Sequence, residues 1–415
     1  MQLQYISQKT QDFIIEYLPS SKSESNRGLI IQYLAQYQQQ NFIKIENLSE
    51  ANDTQILTNL LKNQDNIDIF DAKDAGTVFR FMTAYLAITQ KNATLTGTSR
   101  MQERPIFPLV DALQMLGFEI NYIEKKGFPP LKFIKNQTEK NNFVRIKANI
   151  SSQFISALLM IAPLLPQGLT IVLEGEISSK PYILMTLSQM NFFGIEYKWH
   201  ENRIKIEPQI YQNNTYIVEG DWSAASYWYA LAGFEKNICL FLPHLFQDSK
   251  QGDSQIIELM ALLGVQTRFE KKGIFISQKE NFIIEQEIKI DFIHCPDLAQ
   301  TLAVFCVLKG IKAIFIGLES LKIKETNRIE ALQNELPKIG GAMTEIEEGV
   351  FEISTDKNFE YQPTKINTYD DHRMCMAFAI AVFKFGKIEI ENPEAVIKSY
   401  PKFWKDLEKF LIKID

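Results

Sequence analysis

Arginine is scarce in this chain, nine residues against 35 lysines, yet six of the nine cluster in a few short polar runs: Arg27, Arg80, Arg100, Arg104, Arg328 and Arg373. Three of these, Arg27, Arg80 and Arg373, are expected in the first turns of apolar helices, and Arg328 in the first turn of an amphipathic one. A cation there opposes the helix dipole by ~0.3–1 kcal/mol, so the placement calls for a compensating anion. Where composition drifts toward lysine, a retained arginine points to bidentate recognition of carboxylate or phosphate. The plainer reading of any one of them is a private ion pair, Arg373 with Asp370 or Asp371, Arg328 with Glu325 three residues away. Six such pairs would not gather in the same runs, so the chemistry expected is the capture of a small, multiply anionic ligand.

The elements that would position these residues repeat along the chain. Six times a polar run precedes about a dozen mostly apolar residues: SSKSESNRGLIIQYLAQY from Ser20, DAGTVFRFMTAYLAI from Asp74, SSQFISALLMIAPLL from Ser151, DWSAASYWYALAGF from Asp221, PDLAQTLAVFCVLKG from Pro296 and DDHRMCMAFAIAVFKFG from Asp370. Between them lie amphipathic segments closed by glycine and followed by alternating residues, such as PLVDALQMLGFEINY and SQIIELMALLGVQTRFE, the pattern of a helix, its stop and a strand. Each unit thus reads as strands alternating with one buried and one half-exposed helix, three units before about residue 219 and three after. The fold class expected is α+β, with two similar domains, 20–219 and 1–19 plus 220–415, and sheets outside the buried helices. A continuous solenoid of six units is the alternative. Polar helix starts would collect on one surface of each domain, facing each other across a cleft.

Composition excludes several classes. A net charge of −6 with 46% apolar and 23% charged residues describes an ordinary globular protein, not a nucleic-acid binder. The opening MQLQYISQKTQDF lacks a secretory pattern, and no stretch approaches twenty uninterrupted apolar residues. Four single cysteines without paired spacing fit reduced thiols in a cytoplasm. Four scattered histidines, none near paired cysteines, make a metal site unexpected.

Taken in order, the runs resemble the motifs of the 5-enolpyruvylshikimate-3-phosphate synthase family, enolpyruvyl transferases of the shikimate pathway, and they match from Lys22 to Lys398. LPSSKSESNR is similar to LPGSKS-x-SNR, DAGTVFRF to NAGT-x-x-RP and RMQERPI to RM-x-ERPI; SSQFISALL, SSKPYI, PDLAQTLA, KETNR, DDHRM and AVIKSYP complete the series. The resemblance implies an inside-out α/β barrel in each domain, three βαβαββ-type repeats with buried parallel helices. It also implies transfer of the enolpyruvyl group of phosphoenolpyruvate to the 5-hydroxyl of shikimate 3-phosphate by addition and elimination, without cofactor or metal, in a cytoplasmic monomer with no nucleic-acid or membrane partner. By the matching positions, shikimate 3-phosphate falls to Lys22, Ser23, Arg27, Ser151, Ser152, Gln153, Ser179, Tyr182, Asp297, Ser320 and Lys324. Phosphoenolpyruvate falls to Lys22, Gly76, Arg104, Gln153, Arg328, His372, Arg373 and Lys398, with Thr77 and Arg80 beside them.

The reaction puts a proton on a methylene carbon and later removes it, while another leaves the acceptor hydroxyl, so it requires carboxylates tuned by nearby cations. Asp297 and Glu325 fit as donor and acceptor, in either order, with Lys22 sharing the work. The plainer readings are a helix cap for Asp297, a surface ion pair for Glu325 and a helix-start residue for His372. Three departures from the family pattern stand out: Asp74 where asparagine is usual, Phe81 where proline is usual, and Ser320 where a longer asparagine is common. Gly76 leaves room for close ligand approach, which implies sensitivity to glyphosate, and Phe81 beside it bears on that. A UDP-N-acetylglucosamine enolpyruvyl transferase would share the chemistry but presents a cysteine in its first domain, and here none precedes Cys239. A non-catalytic sensor of phosphorylated metabolites would need neither Asp297 nor Glu325.

Overall fold

The computed structural model describes residues 1–5, 11–38, 42–148, 151–177, 180–235, 238–285, 287–323, 326–411 and 413–414. These divide into two compact units, Ser20–Val218 and Met1–Pro19 with Glu219–Asp415.

In the unit Ser20–Val218 the helices are α1 (Lys22–Tyr37), α2 (Asn52–Lys62), α3 (Gly76–Ile88), α4 (Ser99–Gln102), α5 (Phe107–Met115), α6 (Ser152–Ile161) and α7 (Lys180–Phe192). Strand Ile69–Asp71 leads into α3 and then to the parallel strand Ala93–Thr96; α5 and the antiparallel strands Glu119–Tyr122 and Leu131–Ile134 complete a four-stranded sheet. Phe143–Lys147, α6, Leu169–Glu174, α7 and the hairpin Lys198–His200 with Arg203–Ile206 repeat that path strand for strand. The repeat around α1 differs. Lys44–Glu46 takes Thr215–Ile217 as its parallel partner, brought back from the far end of the unit, and this sheet stops at two strands. Nine of the ten α6 residues are buried, and a helix apolar on every side has to be enclosed by other elements. One core cluster runs from Leu29 to Val218 and joins α1, α3 and α6.

The second unit carries α8 (Trp222–Phe234), α9 (Ile256–Leu262), α10 (Ala299–Lys309), α11 (Arg328–Glu335), α12 (His372–Ala379), α13 (Val382–Phe385) and α14 (Phe403–Leu407). Its sheets have the strand orders Gln11–Ile14, Ile238–Pro243, Gly273–Gln278, Val265–Glu270 and Glu287–Asp291, Lys312–Ile316, Val350–Thr355, Gly341–Glu347, the same path again. The third is assembled from both ends of the chain: Gln2–Gln4 lies antiparallel to Lys387–Ile390 and to Lys413–Ile414, with Lys365–Ile366 on the outer edge. This unit has its own core, from Leu3 to Leu411. Two cores, one per unit, replace the alternative of a continuous solenoid.

Sequence punctuation acts where expected in most places. Ser21, Ser151, Asp221 and Asp371 cap α1, α6, α8 and α12 with their side chains. Gly310, Gly340 and Gly386 close helical segments in the left-handed conformation that glycine adopts without strain. Pro337 converts the end of its amphipathic segment into a 3₁₀ turn, Leu336–Ile339. One expectation is corrected. Because α1 starts at Lys22 and α3 at Gly76, Arg27 and Arg80 lie a turn inside their helices rather than in the first turn. Of the four, Arg328 and Arg373 do lie in the first turn of their helices.

Candidate functional site

Within the unit Ser20–Val218 the polar runs open α1, α3 and α6. Lys22 is the first residue of α1, and its ammonium lies 3.0 Å from the Asp53 carboxylate of α2. Arg27 is 1% exposed. Its Nε donates to Thr186 Oγ1 at 2.6 Å, Nη1 to the Ser23 carbonyl at 2.9 Å, and Nη2 to Ser156 Oγ at 3.2 Å and the Tyr182 carbonyl at 3.4 Å. Burial pushes its pKa down to about 10, while the charges of Tyr182 and Glu24 act the other way. These bonds use four of five guanidinium N–H groups and leave one on Nη1. The Phe81 ring, wholly buried, packs 5.3 Å from Arg27 Cζ, so the aromatic residue found in place of proline backs that guanidinium.

The start of α3 is arranged differently. Ala75 precedes it and no side chain caps it. The Arg104 guanidinium covers Gly76 so closely that a Cβ there would lie 2.6 Å from Nη1 and 2.8 Å from Cζ. Arg104 Nε is buried without a hydrogen-bond partner among the described residues. Next to it, Gln153 of α6 donates to Thr77 Oγ1 at 2.9 Å and accepts from Arg80 Nη1 at 2.5 Å, while Arg80 stacks 5.2 Å from the Phe154 ring. Ser151 caps α6 by accepting from the Gln153 N–H at 3.3 Å, and Ser152 is buried. Arg100 forms an exposed pair with Glu103 at 2.7 Å, the private arrangement. Ser179 lies outside the described residues.

The other unit gathers its charges at the starts of α11 and α12. Arg328, 1% exposed, donates through Nε to Asp371 Oδ2 at 2.7 Å and through Nη1 to Asp297 Oδ1 at 2.8 Å. Arg373 Nη2 reaches the other Asp297 oxygen at 3.0 Å and Ser223 Oγ at 3.4 Å, and Nη1 reaches the Asp297 carbonyl at 3.3 Å. Asp371 accepts from the Arg373 backbone N–H at 2.8 Å. Arg328 thus meets both Asp371 and Asp297, the expected partner Glu325 lying outside the described residues, and Arg373 meets Asp297 with its side chain rather than Asp370 or Asp371. Burial works against the Arg373 charge, but Asp297, Tyr227 and Asp253 outweigh it and raise its pKa. Asp253, hydrogen-bonded to the Ser223 hydroxyl, is pushed up to about 7 by its burial and then by Asp297. His372 is buried with Nδ1 3.9 Å from Asp371 Oδ1. Ser320 sits in the 3₁₀ turn Glu319–Ile323, and Lys398 ends the one at Pro393–Lys398, both half-buried. Lys324 and Glu325 lie outside the described residues.

The structure thus joins Arg328, Arg373 and Asp297 in one network and ties Arg27 to Tyr182 and Ser23, and Arg80 to Gln153 and Thr77. It adds Asp53, Ser156, Thr186, Ser223, Asp253 and Asp371, to which sequence reasoning gave no site role. Asp253 stands in SKQGDSQ ahead of an amphipathic segment, where an acid reads as a helix cap; nothing local marks its burial. Chemically, the uncapped start of α3 beneath Arg104 suits an anion, and the aspartate–arginine network holds carboxylates and cations within one proton's reach of each other.

The profile of a family described as EPSP synthase (3-phosphoshikimate 1-carboxyvinyltransferase) matches residues 62–407. A 3-phosphoshikimate 1-carboxyvinyltransferase of Bacteroides fragilis is 44% identical over 400 residues, 96% of this chain and 95% of that protein. One from Haemophilus influenzae is 33% identical over 432 residues, 95% of this chain and 96% of its own. The structure of EPSP synthase from Acinetobacter baumannii superposes with a TM-score of 0.79 at 17% identity, covering 100% of this chain and 99% of that one; at that identity the likeness speaks for the fold.

Proposed function

The chain belongs to the EPSP synthase (3-phosphoshikimate 1-carboxyvinyltransferase) family, and from that premise we propose how its side chains divide the work. The protein transfers the carboxyvinyl group of phosphoenolpyruvate to the 5-hydroxyl of shikimate 3-phosphate and releases phosphate, a step of aromatic amino acid biosynthesis. The acceptor oxygen bonds to C2 of phosphoenolpyruvate as a proton reaches C3. The C2–O bond to phosphate then breaks as C3 gives a proton back.

Arg104, with the N–H groups at the start of α3, holds phosphoenolpyruvate; the Arg104 guanidinium lying over Gly76, with its Nε buried and without a hydrogen-bond partner among the described residues, is the observation that carries this reading. Arg328, Arg373, His372, Lys398 and Lys22 add donors to the same ligand, together with Gly76 and Gln153. Ser23, Arg27, Ser151, Ser152, Gln153, Ser179, Tyr182, Asp297, Ser320 and Lys324 take shikimate 3-phosphate, with Lys22 reaching both. Asp297, Glu325 and Lys22 move the protons. We further read the protein as a cytoplasmic monomer. For the location, the buried Cys295, Cys306 and Cys375 are free thiols, which fits a reducing compartment. Sedimentation equilibrium giving a mass near 47.9 kDa is the expected result; twice that mass would refute the monomer.

The test is phosphate release from phosphoenolpyruvate with shikimate 3-phosphate, metal-free, with UDP-N-acetylglucosamine as the control acceptor. Arg104→Ala raises the KM for phosphoenolpyruvate roughly a hundredfold, as for loss of a buried charge contact of about 2–3 kcal/mol. Glu325→Gln lowers kcat with little change in either KM. Full turnover in Glu325→Gln would remove its proton-transfer role, and an unchanged KM in Arg104→Ala would remove the assignment of Arg104.

A further inference from the structure

Asp253 has no part in the roles given above, yet it is 2% exposed and lies one hydroxyl away from the Arg373 network. Its Oδ2 accepts from Ser223 Oγ, while Oδ1 is buried with no hydrogen-bond partner among the described residues. Ser223, in the first turn of α8, in turn accepts from Arg373 Nη2 at 3.4 Å. A buried carboxylate with an unmet oxygen is costly to keep in a core for stability alone. The Ser223–Arg373 bond is long, near the limit of a useful hydrogen bond, so its strength depends on how strongly the serine oxygen is polarised.

We propose that Asp253 is a positioning residue that acts through the Ser223 hydroxyl to orient the Arg373 guanidinium toward the anionic substrate. Ionised, Asp253 draws the Ser223 proton toward itself and makes Oγ a better acceptor for Nη2. Protonated, it loosens that hold and leaves Arg373 to Asp297. The groups whose charges bear on Asp253 are Asp297, Arg373 and Asp221, and Cys295 is a further titratable neighbour. This assignment rests on the reading of Arg373 as a ligand of phosphoenolpyruvate.

The experiment is the pH dependence of the KM for phosphoenolpyruvate in wild type, Asp253→Asn, Ser223→Ala, Ser223→Thr and Arg373→Ala, with thermal melting of each. Arg373→Ala tests the underlying reading: an unchanged KM there would sink that reading and this one with it. If Arg373→Ala does raise the KM, the proposal stands or falls on the other variants. In wild type the KM falls as pH rises through about 7, beyond the change due to the substrate phosphate, whose ionisation near pH 6 is common to all the enzymes. Asp253→Asn keeps the hydrogen bond without the charge, so it removes that inflection. Ser223→Ala raises the KM about tenfold above about pH 7 and by less below it, flattening the profile as Asp253→Asn does, while changing kcat less, and Ser223→Thr restores most of the loss. Parallel pH profiles for wild type and Asp253→Asn, or a Ser223→Ala enzyme that melts lower yet keeps its KM, would overturn the proposal by leaving Asp253 a structural role only.

Discussion

Gly76 and Arg104 occupy the same few ångströms, and each depends on the other's size. A methyl group at position 76 would meet the end of the Arg104 guanidinium at 2.6 Å, below any contact a real Cβ makes, but the obstacle is the tip of a flexible side chain. Gly76→Ala is therefore expected to fold normally, with urea midpoint unchanged, while the KM for phosphoenolpyruvate rises about tenfold as the guanidinium is displaced; an unaltered KM would show that Arg104 need not lie over the α3 start. Asp253 gives a pH-dependent counterpart. Its pKa is raised from 3.8 to about 7 by burial first, so between those values the folded protein keeps a proton that the unfolded chain releases. Stability contributed by this site is full below about pH 4, falls as pH rises and is gone above about 7. Asp253→Asn does not titrate, so relative to wild type it gains on the order of a few kcal/mol between about pH 5 and about pH 8. Equal differences in urea unfolding free energy at the two pH values would contradict the shift. Gly76 and Arg104 were legible in the sequence because each sits in a dense local motif. Asp253 was not, because its surroundings are made by Ser223, Asp297 and Arg373, residues up to 120 positions away in the numbering.

For the elements, the punctuation was legible and the register was less so. Polar caps ahead of apolar runs marked the starts of α1, α6, α8 and α12, and a glycine behind the run marked the end of α10. The turn on which an arginine falls was not, since a cap at Ser21 rather than later puts Arg27 a turn deep. That depth makes Arg27 a tie between helices: it joins α1 to Ser156 of α6 and to Thr186 and the Tyr182 carbonyl of α7. Arg27→Ala would leave those buried oxygens without their charged donor and is expected to cost roughly 2–4 kcal/mol. Arg27→Lys recovers less than half of it, because an ammonium lacks the planar fork. Urea unfolding measures both, and a loss of under about 0.5 kcal/mol in Arg27→Ala would mean that the four bonds contribute little beyond solvation.

At the scale of the whole molecule, six recurring polar starts disclosed the repeats, because each repeat carries its own local signal. The origin of the sheet at the chain ends stayed hidden, because no local pattern tells Gln2–Gln4 that its neighbours are Lys387–Ile390 and Lys413–Ile414. The unit Ser20–Val218 draws its sheets and its core from its own residues alone. Expressed by itself, that segment is expected to give a cooperative urea transition with native-like circular dichroism; a broad, non-cooperative melt would show that it depends on the rest. The first nineteen residues face the opposite situation. A ribosome makes the strand that Gln2–Gln4 joins some 380 residues after them, a delay on the order of tens of seconds at ordinary elongation rates. During that interval the central unit can fold behind the exit tunnel while the leading strand stays unpaired, a bare edge available to chaperones or to neighbouring nascent chains.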